Sequence, residues 1–495
     1  MKKYLEVWAD SFHEGVWCCE NIGKFFFSNN YKTEKKYKNG FQPIYIITND
    51  DIELNLIVYG SYKSWNPIPD KIKDLLEWGK PDFILYDPEK DEIVFAVEET
   101  AATPTGNQAT QRCERQYGSA KAKIPYWYFI SEYGQHVDGG VRRDSIWPTI
   151  AALKLTIINK TPCIVLHYSD ENNIENYESG EGLELLFLSL YKMTENYVNN
   201  KYLYSELDEC LEKQYQSMLN FVLSQWRRMI DYIPGENILR DSCTSAELVK
   251  YALNKNENND LKNSLLIWPQ LCELPKDIQE KQRGKDLLKY DKLAELLEKD
   301  ITDKKTYILS DNAGSGKPPR KEQLEEWIAS QKKLFNSAPQ VSPTVNFTMS
   351  INDFPLTQSG RYHITTAKNI IYLYDRWEDL YNSIITAYPR LKGKLEHINK
   401  DVPAFLYLSN SIKPGRLFGD PFTGQLSAFS TIFGKFDNKR RIVIAYYPHQ
   451  TFSQVLKSDG TFTKNKGMTL MTELTDVILF NEGVAVLLKE EEILW

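Results

Sequence analysis

The chain has 495 residues, a formal net charge of −7, and 42% hydrophobic with 26% charged side chains. This is too long for one ordinary domain and holds ample apolar material for real cores. The charge excludes a uniformly basic nucleic-acid coat but not a local basic cleft, since only the field at the contact surface matters. Seven cysteines without a C-x-x-C pair or metal-ligand spacing read as reduced, buried thiols of a cytoplasmic protein. The N-terminus, MKKYLEVWADSFHEG, meets acidic residues before an apolar signal segment forms, and no apolar run reaches the length of a membrane span.

In chain order, VWADSFHEGVWCCENIGKFFFSN has helix-like spacing, with Phe12, Val16, Cys19 and Ile22/Gly23 on a stripe. QPIYIITNDDIELNLIVYG predicts two strands around the polar turn NDD. DFILYD, the acidic turn PEKDE and IVFAVEET predict a β-hairpin, followed by a helix and the strands IPYWYFIS and TPCIVLHYS. From about 180 to 335 the pattern is mostly helical: EGLELLFLSLYKMTENYV, LDECLEKQYQSMLNFVLSQWRRMIDYI and LLKYDKLAELLEKDI space their apolar residues at threes and fours. Beyond about 340 the strands AFLYLS, RIVIAYYP, DVILF and VAVLLK dominate, and GRLFGDPFTGQLSAFS (415–430) reads as a multi-turn connection. The expected organisation is an α/β (α+β) domain over 1–175, a helical domain over 176–335 and a mixed α/β C-terminal domain over 336–495.

The end of the central strand carries the chemistry. In IVFAVEET, Val94, Ala96, Glu98 and Thr100 share one face, and Ile93, Phe95, Val97 and Glu99 the other. Both faces are apolar until the end, as in a buried strand. Asp82 opens the preceding strand, and an antiparallel hairpin brings the start of one strand beside the end of the next. Asp82 and Glu98/Glu99 then converge and repel unless a proton or cation intervenes. A hard ion such as Mg²⁺ takes carboxylate oxygens, keeps waters, and can activate one against a phosphodiester. Downstream, a helix over TPTGNQATQRCERQYGSAK, capped by Asn107, sets Gln108, Gln111, Arg112 and Arg115 on one polar stripe suited to phosphate, opposite Ala109, Cys113, Tyr117 and Ala120 or Lys121.

The Pro81-Asp82 pair, the acidic turn and the acidic strand end together resemble the PD-(D/E)XK nuclease superfamily, which includes many type II restriction endonucleases. The resemblance covers roughly residues 70–132. It implies a restriction-endonuclease-like mixed sheet flanked by helices. It implies Mg²⁺ (or Mn²⁺) held by Asp82, Glu98 and Glu99, catalysis supported by Gln108, Gln111 and Arg112, and a further metal ligand from Glu14 or Glu20. Thr100 stands where the family has its lysine, and Lys121 and Lys123 are the nearby candidates for that ammonium. The implied activity is hydrolysis of double-stranded DNA by a restriction-type or other anti-phage endonuclease, acting as a homodimer to cut both strands. The Thr100 departure also admits a non-catalytic nucleic-acid-binding protein on the same fold.

Elsewhere, NAGSGK (312–317) departs from a phosphate loop, with Asp311 at the position of the first glycine and Pro318 after the lysine. It reads as a basic loop able to touch a DNA backbone through Lys317, Arg320 and Lys321. The six histidines show no H-x-x-x-H spacing. Local basic clusters at 280–292, 389–397 and 434–441 leave room for base recognition outside the acidic site.

Overall fold

The structure is a computed structural model. It describes residues 2–65, 67–100, 110, 112–131, 133–135, 141–143, 146–168, 181–229, 243–255, 293, 296, 305–309, 320–337, 350–353, 356, 358–362, 368–410, 422–436, 439–447, 459, 466–480, 483–487 and 492–494. The chain is of mixed α/β class and divides into two compact units, Met1–Trp226 with Glu236–Leu265, and Arg227–Gly235 with Leu266–Trp495.

The first unit begins with strand β1 (Lys2–Ala9), helix α1 (Phe12–Ser28), and strands β2 (Lys32–Lys38), β3 (Gln42–Thr48) and β4 (Glu53–Gly60). Residues 7–9, which the helical spacing had joined to α1, are strand. The helix starts where Ser11 accepts the N–H of Glu14 on its side chain at 3.2 Å, ending the extended run. After α2 (Asp70–Leu76) come the hairpin β5 (Phe83–Asp87) and β6 (Glu92–Thr100), helix α3 (Cys113–Lys121), β7 (Tyr126–Ser131), α4 (Trp147–Asn159) and β8 (Cys163–Tyr168). Helices α5 (Glu181–Val198), α6 (Asp208–Met229) and α7 (Ser245–Ala252) follow.

These strands form an eight-stranded sheet in the order β8-β7-β6-β5-β1-β4-β3-β2. β6, β7 and β8 run parallel, with α3 and α4 as their connections, while β5 is antiparallel to both neighbours. The hairpin turn is fixed by Asp87, whose Oδ1 accepts the N–H groups of Glu89 and Lys90 at 2.8 and 3.3 Å. Val94, Phe95, Ala96 and Val97 are all buried, so β6 is covered on both faces and only its end can present polar groups to a ligand.

The second unit holds β9 (Lys305–Leu309), α8 (Lys321–Ser337), β10 (Lys368–Tyr374), α9 (Trp377–Ala387), β11 (Ala404–Asn410), α10 (Phe422–Phe433), β12 (Ile442–Tyr447), α11 (Lys466–Leu474), β13 (Val477–Phe480), β14 (Ala485–Leu487) and β15 (Glu492–Leu494). Its seven strands lie in the order β9 through β15, with β11, β12 and β13 parallel. Tyr372, Leu406, Ile444 and Leu479 pack on the α9 side with Trp377 and Leu380, while Phe405 stacks on Phe433 of α10 on the other. Residues 422–430, expected as turns, are helical: Leu426, Ala428 and Phe429 are buried, which outweighs the poor helix propensity of Gly and Thr. The helix expected over 287–301 falls almost wholly outside the described residues.

Candidate functional site

The register Phe83–Val97 of the hairpin continues to set Asp82 opposite Glu98 at the end of the sheet. Asp82 is held by its neighbours before any side-chain chemistry begins. Its Oδ2 accepts the backbone N–H of Glu99 at 2.7 Å, and its carbonyl accepts the N–H of Asp10 at 3.4 Å. The buried Tyr62 hydroxyl donates to the Pro81 carbonyl at 2.7 Å and lies 3.3 Å from the Trp8 carbonyl, tying β5 to β1 beside the carboxylate.

Glu98 and Thr100 face α3 together. Arg112 Nε reaches Glu98 Oε1 at 2.7 Å and Thr100 Oγ1 at 3.3 Å, and Thr100 Oγ1 sits 3.4 Å from the Tyr128 hydroxyl. Arg115 Nη1 donates to the same Glu98 oxygen. Two local features bring the helix this close. Gly118 passes so tightly under Trp78 that a Cβ there would stand 2.2 Å from the indole. Gly79, at φ +149°, lets the following loop lie against Arg115, whose Cγ would be 2.4 Å from a Cβ at that position.

The carboxylates are not fully compensated by these arginines. Glu98 is wholly buried, and its Oε2 has no hydrogen-bond partner among the described residues; the same holds for Glu99 Oε1 and Glu14 Oε2. Burial, then the charges of Glu98 and Glu14, push Asp82 well above the ordinary carboxylate range, against the Glu99 N–H and Arg115. Burial, then Glu98 and Glu14, push Glu99 up to about 7. Burial also raises Glu14, with Asp10 and Glu98 adding to it. A carboxyl raised on folding binds its proton more tightly in the native state. The stability it contributes is therefore present at low pH and lost as pH rises through its ordinary range to its folded value. In chelator, the urea midpoint of the chain is expected to fall between pH 5 and pH 8, and Glu99→Gln to reduce that fall. An unchanged pH dependence in the variant would show that Glu99 titrates normally.

Among the described residues, no group of three or more His, Cys, Asp and Glu side chains is placed to hold a metal ion. A small hard cation needs only one or two protein carboxylates, since it keeps waters. Asp82 and Glu98, facing each other with an unpartnered buried oxygen on Glu98, fit such an ion.

The other expected residues divide clearly. Glu99 gives its backbone N–H to Asp82, while strand alternation turns its side chain to the opposite face, where it senses Glu14. Glu14 therefore joins the cluster. Glu20 does not, because Lys35 at 2.9 Å and the Tyr45 hydroxyl at 3.1 Å occupy it. Lys121 ends α3 with its ammonium 5.2 Å from the Trp78 ring, and Lys123 occupies the left-handed turn that follows. Arg320 and Lys321 belong to the second unit, and Lys321 lies 4.0 Å from Glu325. Gln108, Gln111 and Lys317 lie outside the described residues.

Sequence reasoning passed over Lys80. Its ammonium lies 3.4 Å from Asp10 and 5.8 Å from the Tyr62 ring, and its side chain is 35% exposed. The signal was its place two residues before Asp82.

No family model matches the chain, and no curated protein matches it. Among solved structures, the cytosolic domain of the T. maritima FeoB iron transporter in a GDP form aligns at a TM-score of 0.19 and 14% identity. The alignment covers 55% of this chain and 98% of that one. A likeness at that TM-score carries no argument about fold or function.

Proposed function

We propose that the chain is a metal-dependent endonuclease of the PD-(D/E)XK type that hydrolyses double-stranded DNA, with a restriction or other anti-phage role, in the cytoplasm and as a homodimer. One observation carries the proposal: Asp82 and Glu98 oppose each other at the end of a buried hairpin, with an unpartnered buried carboxylate oxygen and two arginines at the same point. Structural acids at a strand end are normally solvated or fully paired, and these are neither.

In this reading Asp82 and Glu98 hold Mg²⁺ or Mn²⁺, which supplies an activated water and stabilises charge on the phosphodiester. The chain's own residues do the rest. Tyr62 and the Glu99 N–H fix Asp82; Arg112 and Arg115 orient Glu98 and place positive charge beside the scissile phosphate. Glu99, poised near neutrality, is suited to hold or release a proton at its carboxyl. Lys80, two residues from Asp82 and half in solvent, takes the phosphate-facing role that Thr100 cannot. Lys80→Ala is expected to lower kcat/KM on DNA by about 10–100-fold. Equal rates for this variant and the native chain would remove Lys80 from the scheme.

The direct test incubates plasmid DNA with the purified chain in Mg²⁺ or Mn²⁺ and maps the cut ends. One observation favours the second reading, a non-catalytic DNA-binding protein: Thr100, already engaged with Arg112 and near Tyr128, gives the strand no ammonium of its own, and the nearby Arg112 is committed to Glu98. Metal-independent binding without any cutting would support it.

A further inference from the structure

Beside the acid cluster a series of four rings runs from the buried Trp8 through the partly exposed Tyr59 and Trp65 to the exposed Phe41. On β3 and β4, Tyr45, Ile47, Leu54, Leu56 and Val58 are buried on the α1 side, whereas Ile44, Ile46, Ile57 and Tyr59 on the other face stay partly exposed. The register Tyr59–Trp8–Ile84–Ala96 puts this open face on the same side of the sheet as Glu98. Along it, Trp8 stacks on Tyr59 with centroids 4.6 Å apart, Tyr59 meets Trp65 edge-on at 4.9 Å, and Trp65 lies nearly parallel to Phe41 at 6.2 Å. The chain of rings starts at the strand that borders Asp82 and ends in solvent, where Phe41 is 56% exposed.

The hairpin turn presents Phe41 deliberately outward. Asn39 and Gly40 both take positive φ, 54° and 81°, and Phe41 donates its N–H to the Lys38 carbonyl at 3.3 Å, so residues 39–41 form a three-residue loop between the paired Lys38 and Gln42. Lys38 flanks that loop, and Lys63 stands two residues before Trp65; both are exposed and make no ion pair among the described residues. Nearby Lys36 is paired with Glu34 at 3.0 Å, which leaves Lys38 as the unpaired lysine next to the turn that carries Phe41.

We propose that Phe41, Trp65 and Tyr59, flanked by Lys38 and Lys63, form a stacking platform for an unpaired DNA strand next to the acid site. Planar rings in series accept bases of any sequence, and lysines spaced among them neutralise the phosphates between. Each observation alone fits a surface aromatic or a solvated lysine. Tyr59 and Trp65, partly exposed, and Phe41, exposed, together with Lys38 and Lys63 beside them, suit a nucleic-acid strand. The choice of ligand rests on the nuclease reading; the site itself uses different residues.

The test measures anisotropy of a fluorescein-labelled single-stranded oligonucleotide with the full chain in chelator, so that binding is read without cutting. Phe41→Ala is expected to weaken binding by about fivefold or more. Lys38→Ala and Lys63→Ala are each expected to flatten the slope of log K against log salt by about 0.7. Tyr4→Ala, an exposed ring at the other end of the face, serves as the comparison and is expected to leave affinity within twofold. Circular dichroism checks that each variant folds. Affinity within twofold of the native chain for both Phe41→Ala and Lys38→Ala overturns the proposal. So does a change in solution mass with oligonucleotide binding unaltered, which would identify a second copy as the occupant. The nuclease reading is judged separately, by metal-dependent cutting with and without Asp82→Asn: lost binding in the platform variants alongside a chain that never cuts would keep the platform and end that reading.

Discussion

Asp82→Asn is expected to lower metal-dependent DNA cutting by about 10³-fold or more while leaving the unfolding midpoint unchanged or raised. The two halves of this result have one cause. The Asp82 carboxylate is disfavoured as an anion by burial and by Glu98, so the folded chain bears an electrostatic cost to keep it charged. Asparagine keeps an oxygen that can accept the Glu99 N–H at the same place, and removes the repulsion. It also removes the charge that a divalent ion and the developing phosphorane require, a loss comparable to deleting a main electrostatic stabiliser. A residue that merely supports the hairpin would lose stability and activity together. Stability gained as activity disappears is the signature of a site held in strain for its chemistry. Cleavage of plasmid DNA by the variant within tenfold of the native rate would end the assignment of Asp82, and Tm measured on the same preparation would distinguish that from misfolding.

The part of this site that could be read from sequence is the part set by local rules. Two apolar runs around PEKDE define a hairpin and bring the start of one strand beside the end of the next, but counting from the turn would set Asp82 opposite Val97; a register shift between Leu85 and Tyr86 moves the pairing by one residue and places Asp82 opposite Glu98. The split of Glu98 and Glu99 onto opposite faces follows from the same alternation. What a tight turn does not dictate is how a helix crosses a sheet. Arg112 and Arg115 were expected to lie on a stripe facing phosphate. They converge on Glu98 because Gly118 and Gly79 let α3 settle against Trp78 and the loop before β5. The helix α4 carried no amphipathic signal because nearly all of it is buried: Trp147, Ile150, Leu153 and even Lys154 are inaccessible. β1 was hidden for a different reason. Its apolar end, Val7 to Ala9, runs straight into the polar start of α1, and the boundary is a single capping serine. Lys80 was passed over although it stands two residues before Asp82, because its contacts with Tyr62 and Asp10 join segments distant in sequence.

Glu98→Ala is expected to act in the opposite sense to Asp82→Asn, although the two acids face each other. Arg112 and Arg115 both direct a donor to Glu98 Oε1, and their side chains are only 31% and 16% exposed. Removing the carboxylate strands two guanidinium groups beside each other in a place largely closed to water. Breaking a buried ion pair from one side costs about 3–5 kcal/mol; at about 2–4 °C per kcal/mol for a unit of this size, even the lower figure lowers Tm by about 6–12 °C. Glu98→Gln retains an acceptor oxygen and should cost less than half of that. The decisive comparison is a triple variant, Glu98→Leu with Arg112→Met and Arg115→Met, which replaces the charges by apolar groups of similar bulk. It should recover most of the lost stability, because the penalty comes from uncompensated charge and not from lost packing, while remaining inactive on DNA. A Glu98→Ala chain that melts within 2 °C of the native one would mean that the arginines relax into water freely. Glu98 would then be a replaceable surface partner, and the buried acid–arginine trio would no longer distinguish this strand end from any other.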